Sequence, residues 1–319
     1  MSRATLIVPG LIGSLRRRAQ SELRLLKYRL DYRYLRNQRS THLFRSHRPT
    51  LSLSQQHTVA EVTIRGIAFP SYDDIALPTD RWARLAAVVD EFAATDRVRE
   101  AIRGFRAVAA TGEMASDAYI VKLLPPAPTL RLDDPLLEVG LSPAVLDVVN
   151  SYLGMWAKLI YTDVWHTIPV DIGKRIGSQY WHRDPEDQRM VKIYAYFGPV
   201  GEGCGAMEYV LESQAAGRYS GAWRWKPHAG RGHRYPGDAE VEQAVPAAQR
   251  IPCFGNRGTF VFCDTAGLHR GGVATTRPRI LATWTFVTPA SIGFTAGRRF
   301  MIEGDAGASQ SLAARFALT

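Results

Sequence analysis

Three side chains in the second half of the chain have the chemistry to hold a metal ion. His182 and Asp184 lie two residues apart in the run QYWHRDPED, and His269 follows in the run CDTAGLH. If this first run is extended, the imidazole and the carboxylate project from the same face of a strand. Two imidazoles and one carboxylate on one side of an ion form the ligand set of non-haem Fe(II) oxygenases, which leaves positions open for O2 and a cosubstrate. We therefore predict an iron site at His182, Asp184 and His269.

Two arginines downstream of these residues could anchor a cosubstrate. If 2-oxoglutarate chelates the iron through its C1 carboxylate and its keto oxygen, its distal carboxylate reaches into the β core. That charge is costly to bury without a partner, and a guanidinium group matches a carboxylate in geometry. Arg277 and Arg279 both lie at the start of the segment RILATWTF. Because residues two apart share a face of a strand, the spacing does not choose between them.

The segment MVKIYAYF alternates polar and apolar side chains. If the polar set faces inward, Lys192 or Tyr194 contacts 2-oxoglutarate. In the alternative, the apolar set fills the core and the polar set is solvated. Trp181 alternates with the two candidate ligands His182 and Asp184, so we expect it to point away from the metal and to pack structurally.

A long segment over residues 215–250 has no clear periodicity and is rich in Gly, Arg, His and Trp. Loops of this length in a compact domain are often lids or binding loops. We therefore consider Trp223, Trp225 and His228 as side chains that close over a substrate.

The rest of the chain indicates a β core with flanking helices. Residues 51–57 are predicted to be a linker and residues 58–69 a strand, and helices are predicted from Thr79 and over about 142–153. After Gly154, short segments rich in aromatic and β-branched residues alternate with turn residues, which is typical of a jelly roll. The predicted strands are Leu159–Thr167, Gln179–Arg183, Met190–Phe197, Met207–Leu211, Thr259–Cys263 and Ile280–Val287.

The positive charge is concentrated at the N-terminus. The formal net charge is +10, and residues 1–50 hold twelve basic and two acidic side chains, so the rest of the chain is neutral. Leu23, Leu26, Leu30 and Tyr34 recur at helical spacing, and a second stripe of Leu25, Tyr28, Tyr32 and Leu35 lies on a roughly opposite side. Either this arm is a helix held against the main body, or it contacts an anionic membrane surface. No motif typical of nucleic-acid binding accompanies the charge, so we expect no nucleic-acid partner.

Several of these segments together resemble a known family. The runs SQYWHRDPEDQRMVKIYAYFGPV, GCGAMEYVLESQ, GTFVFCDTAGLHRGG and RPRILATWTF are similar to those of the phytanoyl-CoA dioxygenase-like family of Fe(II)/2-oxoglutarate oxygenases, over about residues 60–290. The resemblance implies a double-stranded β-helix core of the jelly-roll, cupin-like type. It implies that His182, Asp184 and His269 are the iron ligands and that Arg279, rather than Arg277, binds 2-oxoglutarate. The acidic ligand favours hydroxylation, because related halogenases have a small residue in its place.

We therefore predict a basic helical arm over residues 1–57 and an oxygenase domain over residues 58–319 that oxidises a small or lipid-linked molecule. One alternative is a cupin-type metal enzyme that does not use 2-oxoglutarate. Another is a non-catalytic jelly-roll binding protein that docks on an anionic surface through its arm. The three cysteines are too few for a disulfide framework, and no apolar run reaches the roughly 18 residues of a membrane span. We expect a cytoplasmic protein with peripheral membrane contact through residues 1–50 as an option.

Overall fold

The computed structural model describes residues 19–20, 22–23, 25–111, 118–169, 175–223, 236–304 and 310–319. Its α-helices are α1 (Gln38–Ser46), α2 (Leu53–Arg65), α3 (Thr79–Ala93), α4 (Asp96–Thr111), α5 (Pro135–Gly140), α6 (Pro143–Leu153), α7 (Asp238–Ala244), α8 (Ile292–Thr295) and α9 (Leu312–Leu318). Its strands are β1 (Ile67–Ala68), β2 (Ile120–Lys122), β3 (Thr129–Arg131), β4 (Lys158–Thr167), β5 (Val191–Tyr196), β6 (Glu208–Val210), β7 (Arg250–Pro252), β8 (Phe260–Cys263), β9 (His269–Arg270), β10 (Ile280–Val287) and β11 (Met301–Glu303).

Two antiparallel sheets form the core. The major sheet has the order β1-β8-β5-β10-β4-β2, and the minor sheet has the order β7-β6-β9. Alternate residues of β5 are buried on opposite sides of the major sheet. Tyr194 and Tyr196 pack with Tyr209 of the minor sheet, whereas Val191 and Ile193 pack against the helices. This arrangement confirms the predicted jelly-roll core with flanking helices.

Most predicted elements after residue 75 are present. Helix α3 buries the predicted face, which includes Trp82, Leu85 and Val89. Helix α6 begins after Ser142 with a proline at its first position and ends at Gly154, whose φ of 71° suits glycine. Strand β10 has the predicted bounds, and β4, β5, β6 and β8 lie within a residue of theirs.

The predicted linker and first strand are wrong. Residues 53–65 form helix α2, because Ser52 and Gln55 make a capping box at its start and Gly66 ends it with a φ of 84°. Strand β1 begins only at Ile67. The predicted boundary between residues 57 and 58 therefore falls inside a helix, while the division into an arm and an oxygenase domain stays a prediction.

Two further predictions are corrected. Residues 179–183 do not form a strand: a 3-10 turn spans Gly177–Gln179, and His182 makes an isolated bridge to His269. The long segment 215–250 is not structureless, since it contains α7 and the 3-10 turn Ala247–Gln249. Helix α7 forms because Glu240 accepts a hydrogen bond from the backbone N–H of Gly237 at its N-terminus.

The described part of the N-terminal arm has two different faces. Residues 25–30 are helical and continue into a π-helical turn, Asp31–Leu35. Tyr28 is buried and donates a short hydrogen bond to Asp187 of the main body. The opposite stripe is exposed, and it consists of Leu23, Leu26, Leu30 and Tyr34. Among the described residues, no helix combines the length and the hydropathy that crossing a bilayer requires.

Candidate metal centre

Backbone pairing brings the three candidate ligands together. The N–H of His182 donates to the carbonyl of His269 over 2.8 Å, and the N–H of His269 returns a bond of 2.9 Å. The N–H of Asp184 donates to the carbonyl of Thr265 over 2.8 Å. The turn after residue 181 is thus fixed on the segment that ends in β9, although the two histidines are 87 positions apart in the chain.

The ligand atoms converge on one point. His182, Asp184 and His269 each offer an atom within 4.8 Å of the other two. Nε2 of His182 lies 3.7 Å from one oxygen of Asp184, and Nε2 of His269 lies 3.9 Å from the other. Spacings of this size leave room for one ion between three ligands at about 2 Å each.

Both imidazoles are held in the orientation that metal binding requires. Nδ1 of His182 lies 2.7 Å from the carbonyl oxygen of Tyr180, and Nδ1 of His269 lies 3.0 Å from that of Gly267. A carbonyl only accepts, so each Nδ1 carries the proton and each Nε2 presents its lone pair. The chain therefore fixes the ligating tautomer of both rings before any metal binds.

The electrostatics suit a divalent cation. Burial and the neighbouring His182 lower the pKa of His269 to about 3, so this ring is neutral near pH 7. Burial alone would raise the pKa of Asp184, but the positive charge of Lys192 holds it below its usual range. Nζ of Lys192 donates to Asp184 over 2.6 Å. Neutral imidazoles and an ionised carboxylate are the forms that bind Fe(II), so the donor set fits this ion.

A small cavity lies beside the three ligands, and we call it the inner cavity. It is lined by Tyr119, Trp165, Ser178, Lys192, Tyr194 and Arg279 in addition to the ligands. Arg279 is buried, and its backbone N–H donates to the hydroxyl of Thr167 over 2.7 Å. Its Nε–H has no hydrogen-bond partner among the residues that the structure describes. A buried guanidinium with an unused donor is suited to binding an anion.

The other arginine candidate lies elsewhere. Arg277 is exposed, and its backbone N–H points to the carbonyl of Gly203. It does not line the inner cavity. Strand register explains the difference, because Arg279 lies next to Thr167 at the edge of the β10–β4 pairing and Arg277 lies beyond it.

The polar set of β5 faces the interior of the core. Lys192 and Tyr194 both line the inner cavity, and Tyr196 is buried between the sheets. The apolar set is also buried, on the helical side of the same sheet. The alternative of a solvated polar set is therefore wrong, because both faces of β5 are covered. The ammonium group of Lys192 donates a hydrogen bond to Asp184. This contact differs from the predicted direct contact of Lys192 with a cosubstrate.

Trp181 and Trp223 do not line the inner cavity. Trp181 is buried with Val210 and Leu268, as its alternation with the ligands predicted, and Trp223 packs partly against the same cluster. Trp225 and His228 fall outside the described residues. The role of these three residues of the long segment as a substrate lid stays a prediction.

One positioning residue escaped sequence analysis. Arg183 lies between the first two candidate ligands and donates to the carbonyls of Ala266 at 2.5 Å, Ser213 at 2.6 Å and Trp223 at 2.8 Å. It thereby ties the ligand turn to both the His269 segment and the long segment. In the sequence, Arg183 differs from other arginines only in lying between His182 and Asp184, and this position does not predict its contacts.

Comparison with solved structures finds proteins of similar fold. One is the non-haem α-ketoglutarate-dependent epimerase SnoN from nogalamycin biosynthesis, with a TM-score of 0.49 and 13% identity, covering 74% of this chain and 83% of that chain. Another is EctD from S. alaskensis in its apo form, with a TM-score of 0.48, 16% identity and coverages of 75% and 77%. A third is the α-ketoglutarate-dependent carbocyclase SnoK, with a TM-score of 0.47, 12% identity and coverages of 81% and 98%. No family model and no curated protein matches the sequence, so the functional assignment rests on the geometry of the site.

Proposed function

We propose that this protein is an Fe(II)/2-oxoglutarate-dependent dioxygenase of the phytanoyl-CoA dioxygenase-like type, which hydroxylates or otherwise oxidises an unactivated C–H bond of a small molecule. The observation that supports it most strongly is the convergence of His182, Asp184 and His269 within 4.8 Å, with both Nε2 atoms directed at the carboxylate. Bound iron would supply the activation of O2, which no side chain can provide.

The chain's own residues would bind and orient the reactants. His182, Asp184 and His269 would hold the metal, and the carbonyls behind the two rings keep their orientation fixed. Arg279 would receive the distal carboxylate of 2-oxoglutarate, because its unused Nε–H needs an acceptor. Lys192 would keep Asp184 ionised, and Tyr194 would border the cosubstrate. The aromatic residues of the core would exclude water from the reacting atoms.

The proposal is tested by anaerobic titration with Fe(II) and then with 2-oxoglutarate. We expect about one Fe(II) per chain, a weak visible absorption band when 2-oxoglutarate is added, and succinate when O2 is admitted. His269→Ala should abolish all three signals, whereas the exposed His42→Ala should leave them intact.

The outcomes separate the rival functions. A cupin-type enzyme without 2-oxoglutarate would bind the metal and release no succinate. A binding protein would bind no stoichiometric metal, and its fold and ligand binding would tolerate His182→Ala. Either result would refute the proposed oxygenase.

A second proposal concerns the N-terminal arm: we propose that it contacts an anionic membrane surface, from which the enzyme could reach a lipid-linked substrate. Leu23, Leu26, Leu30 and Tyr34 are each 47–66% exposed on one side of the arm. Twelve basic side chains fall within residues 1–50. An exposed apolar stripe flanked by positive charge suits insertion at the headgroup level of anionic lipids.

Sedimentation with lipid vesicles tests this contact. We expect the full chain to pellet with vesicles that contain phosphatidylserine, less at high salt, and little with neutral phosphatidylcholine vesicles. The double variant Leu26→Glu/Leu30→Glu should lose pelleting, while Leu53→Glu, which alters an exposed leucine outside the stripe, should not. Absence of pelleting at every salt concentration, or equal pelleting of the double variant, would refute it.

A further inference from the structure

A larger pocket opens from the same inner face of the major sheet. Its volume is about 480 Å³, and Trp165 and Lys192 line both this pocket and the inner cavity. We call it the outer pocket; its wall includes Tyr161, Asp163 and Thr285, and its rim includes residues 125–128. Its volume is within the range of pockets that hold small molecules, which is about 300–1,000 Å³.

Strand register places the outer pocket and the ligand turn on one surface. Thr285 of β10 is paired with Lys192 of β5 on one side and with Tyr161 of β4 on the other. Side chains in such a row share a face of the sheet. Glu186, two residues after Asp184, lines the outer pocket as well. A molecule in this pocket would therefore lie against the side of Lys192 and close to the proposed metal.

The charges of the outer pocket are already neutralised. Lys192 is paired with Asp184 at 2.6 Å, and Arg299 is paired with Glu186 at 3.2 Å. Burial raises the pKa of Asp163, and the hydrogen bonds that it accepts from the backbone of Leu124 and the hydroxyl of Tyr161 oppose that shift. With Asp184 counted, three carboxylates (Asp163, Asp184 and Glu186) match the three cationic side chains of the wall (Lys122, Lys192 and Arg299). The pocket therefore has no formal net charge to offer a strongly anionic or cationic ligand.

Some polar atoms of the wall still lack a partner. Oγ1 of Thr285 and Oε2 of Glu186 are buried and have no hydrogen-bond partner among the described residues. An unsatisfied buried oxygen costs free energy, and a hydroxyl group of a ligand would relieve that cost. The alkyl chain of a lipid would leave both oxygens unsatisfied.

Two aromatic side chains complete the wall. Nε1–H of Trp165 donates to the hydroxyl of Tyr161 over 3.0 Å, and that hydroxyl donates to Asp163 over 3.0 Å. Their polar atoms are therefore bound to each other, and what the rings offer a ligand is largely apolar surface. The pocket presents an apolar surface beside free hydrogen-bond acceptors.

We propose that the outer pocket binds a neutral, polyhydroxylated ring compound, of the glycoside class, as the substrate of the iron site. This inference rests on the proposed function, which it narrows from any small or lipid-linked molecule to one class. The hydroxyl groups would donate to Thr285 and Glu186, and the C–H face of the ring would lie on the aromatic side chains.

Ligand-observed saturation-transfer NMR on the full chain tests the class without turnover. The probes are a panel of methyl glycosides, the matched methyl glucuronide and methyl glucosaminide, and a medium-chain alcohol. We expect saturation transfer to at least one neutral glycoside, with weaker transfer to its charged analogues and to the alcohol. Thr285→Val should weaken that binding about three- to tenfold, the value of one hydrogen bond. Thr283→Val, at a buried threonine of the same strand face that does not line the pocket, should leave it unchanged.

Failure of the glycoside inference can be distinguished from failure of the proposed oxygenase function. Succinate formation with Fe(II) and 2-oxoglutarate, but no glycoside binding, would overturn the substrate class and leave the oxygenase intact. Glycoside binding that depends on Thr285, without iron or succinate, would support the pocket and refute the oxygenase. Tighter binding of the glucuronide, the glucosaminide or the alcohol, or equal effects of the two valine variants, would overturn the inference.

Discussion

The turn after His182 carries two buried carboxylates, Asp184 and Asp187, in opposite surroundings. Asp184 faces the two imidazoles and the ammonium group of Lys192, and the positive charge of Lys192 holds the pKa of Asp184 below its usual range despite burial. Asp187 faces neutral donors, namely the hydroxyl of Tyr28 and the N–H and hydroxyl of Thr288. Burial raises the pKa of Asp187 to about 7, and these hydrogen bonds oppose the shift only in part.

The comparison shows that the neighbours of a buried carboxylate, rather than burial itself, distinguish a binding group from a structural one. Converging nitrogen atoms make Asp184 a suitable metal ligand. Hydroxyl and amide donors make Asp187 one of the points at which the N-terminal arm is attached to the core. Both kinds of acid occur within one turn, so their roles can be tested with matched substitutions.

The largest expected effect follows from substituting each acid by its amide. Asp184→Asn removes a charged ligand and should lower Fe(II) affinity by more than about 100-fold, since even outer partners of a metal ligand are worth 10- to 100-fold. Asp187→Asn should leave Fe(II) affinity within about twofold, because the hydrogen bonds of Asp187 are made with Tyr28 and Thr288 and it is not one of the proposed ligands. Anaerobic equilibrium dialysis measures both. Equal losses in the two variants would mean that Asp184 acts only through the fold of the turn.

The next effect concerns the anion-binding arginine. Arg279→Met should weaken 2-oxoglutarate binding by about 30- to 1,000-fold, the cost of losing a buried charged partner. Arg277→Met should have no effect, because that side chain is exposed and does not line the inner cavity. Titration of the Fe(II)-loaded chain with 2-oxoglutarate checks the pair. A larger effect at Arg277 would reverse the assignment.

These two arginines show how far the sequence could predict the site. The His182 and Asp184 pair was predictable because its spacing is local, and strand β10 because its aromatic and β-branched run is continuous. The choice between Arg277 and Arg279 depended on which residue lies beside Thr167 of β4. That register is set by packing across the sheet, and it cannot be predicted from residue spacing alone.

Other features had weaker local signals. Helix α2 was missed because its β-branched residues resemble a strand, although the Ser52 and Gln55 capping box marks a helix start. The hydrogen bond between Tyr28 and Asp187 joins residues 159 positions apart, and the local sequence of neither segment predicts it. The outer pocket likewise arises only when Tyr161 and Thr285 become neighbours in the sheet.

The free energy of unfolding should depend on pH because of Asp187. Its carboxyl has a pKa of about 7 in the folded chain and 3.8 as the ordinary value. Between about pH 4 and 7 the folded chain therefore holds a proton that the unfolded chain has lost, so the free energy of unfolding falls as the pH rises. Asp187→Asn should remove this slope, which amounts to at most about 1.4 kcal/mol per pH unit.

The measurement is the difference in unfolding free energy between the original chain and Asp187→Asn, taken by denaturant titration at several pH values. Asp147 and Asp264, whose burial raises each pKa to about 6, contribute equally to both proteins and cancel in the difference. A difference that increases with pH over this window would contradict the assignment.

The smallest expected effect concerns Tyr28, the hydrogen-bond donor to Asp187. Tyr28→Phe removes the hydroxyl that donates to Asp187 and leaves a buried oxygen without that donor, which should lower the free energy of unfolding by about 1–3 kcal/mol. Tyr34→Phe changes an exposed tyrosine of the same arm and should have an effect below about 0.5 kcal/mol. Fe(II) affinity should be unchanged in both variants, because the hydroxyl of Tyr28 donates to Asp187, which is not one of the proposed ligands. A loss of Fe(II) affinity in Tyr28→Phe would show that the two carboxylates are coupled through their shared turn. It would contradict the assignment of Asp184 as a binding acid and Asp187 as a purely structural one.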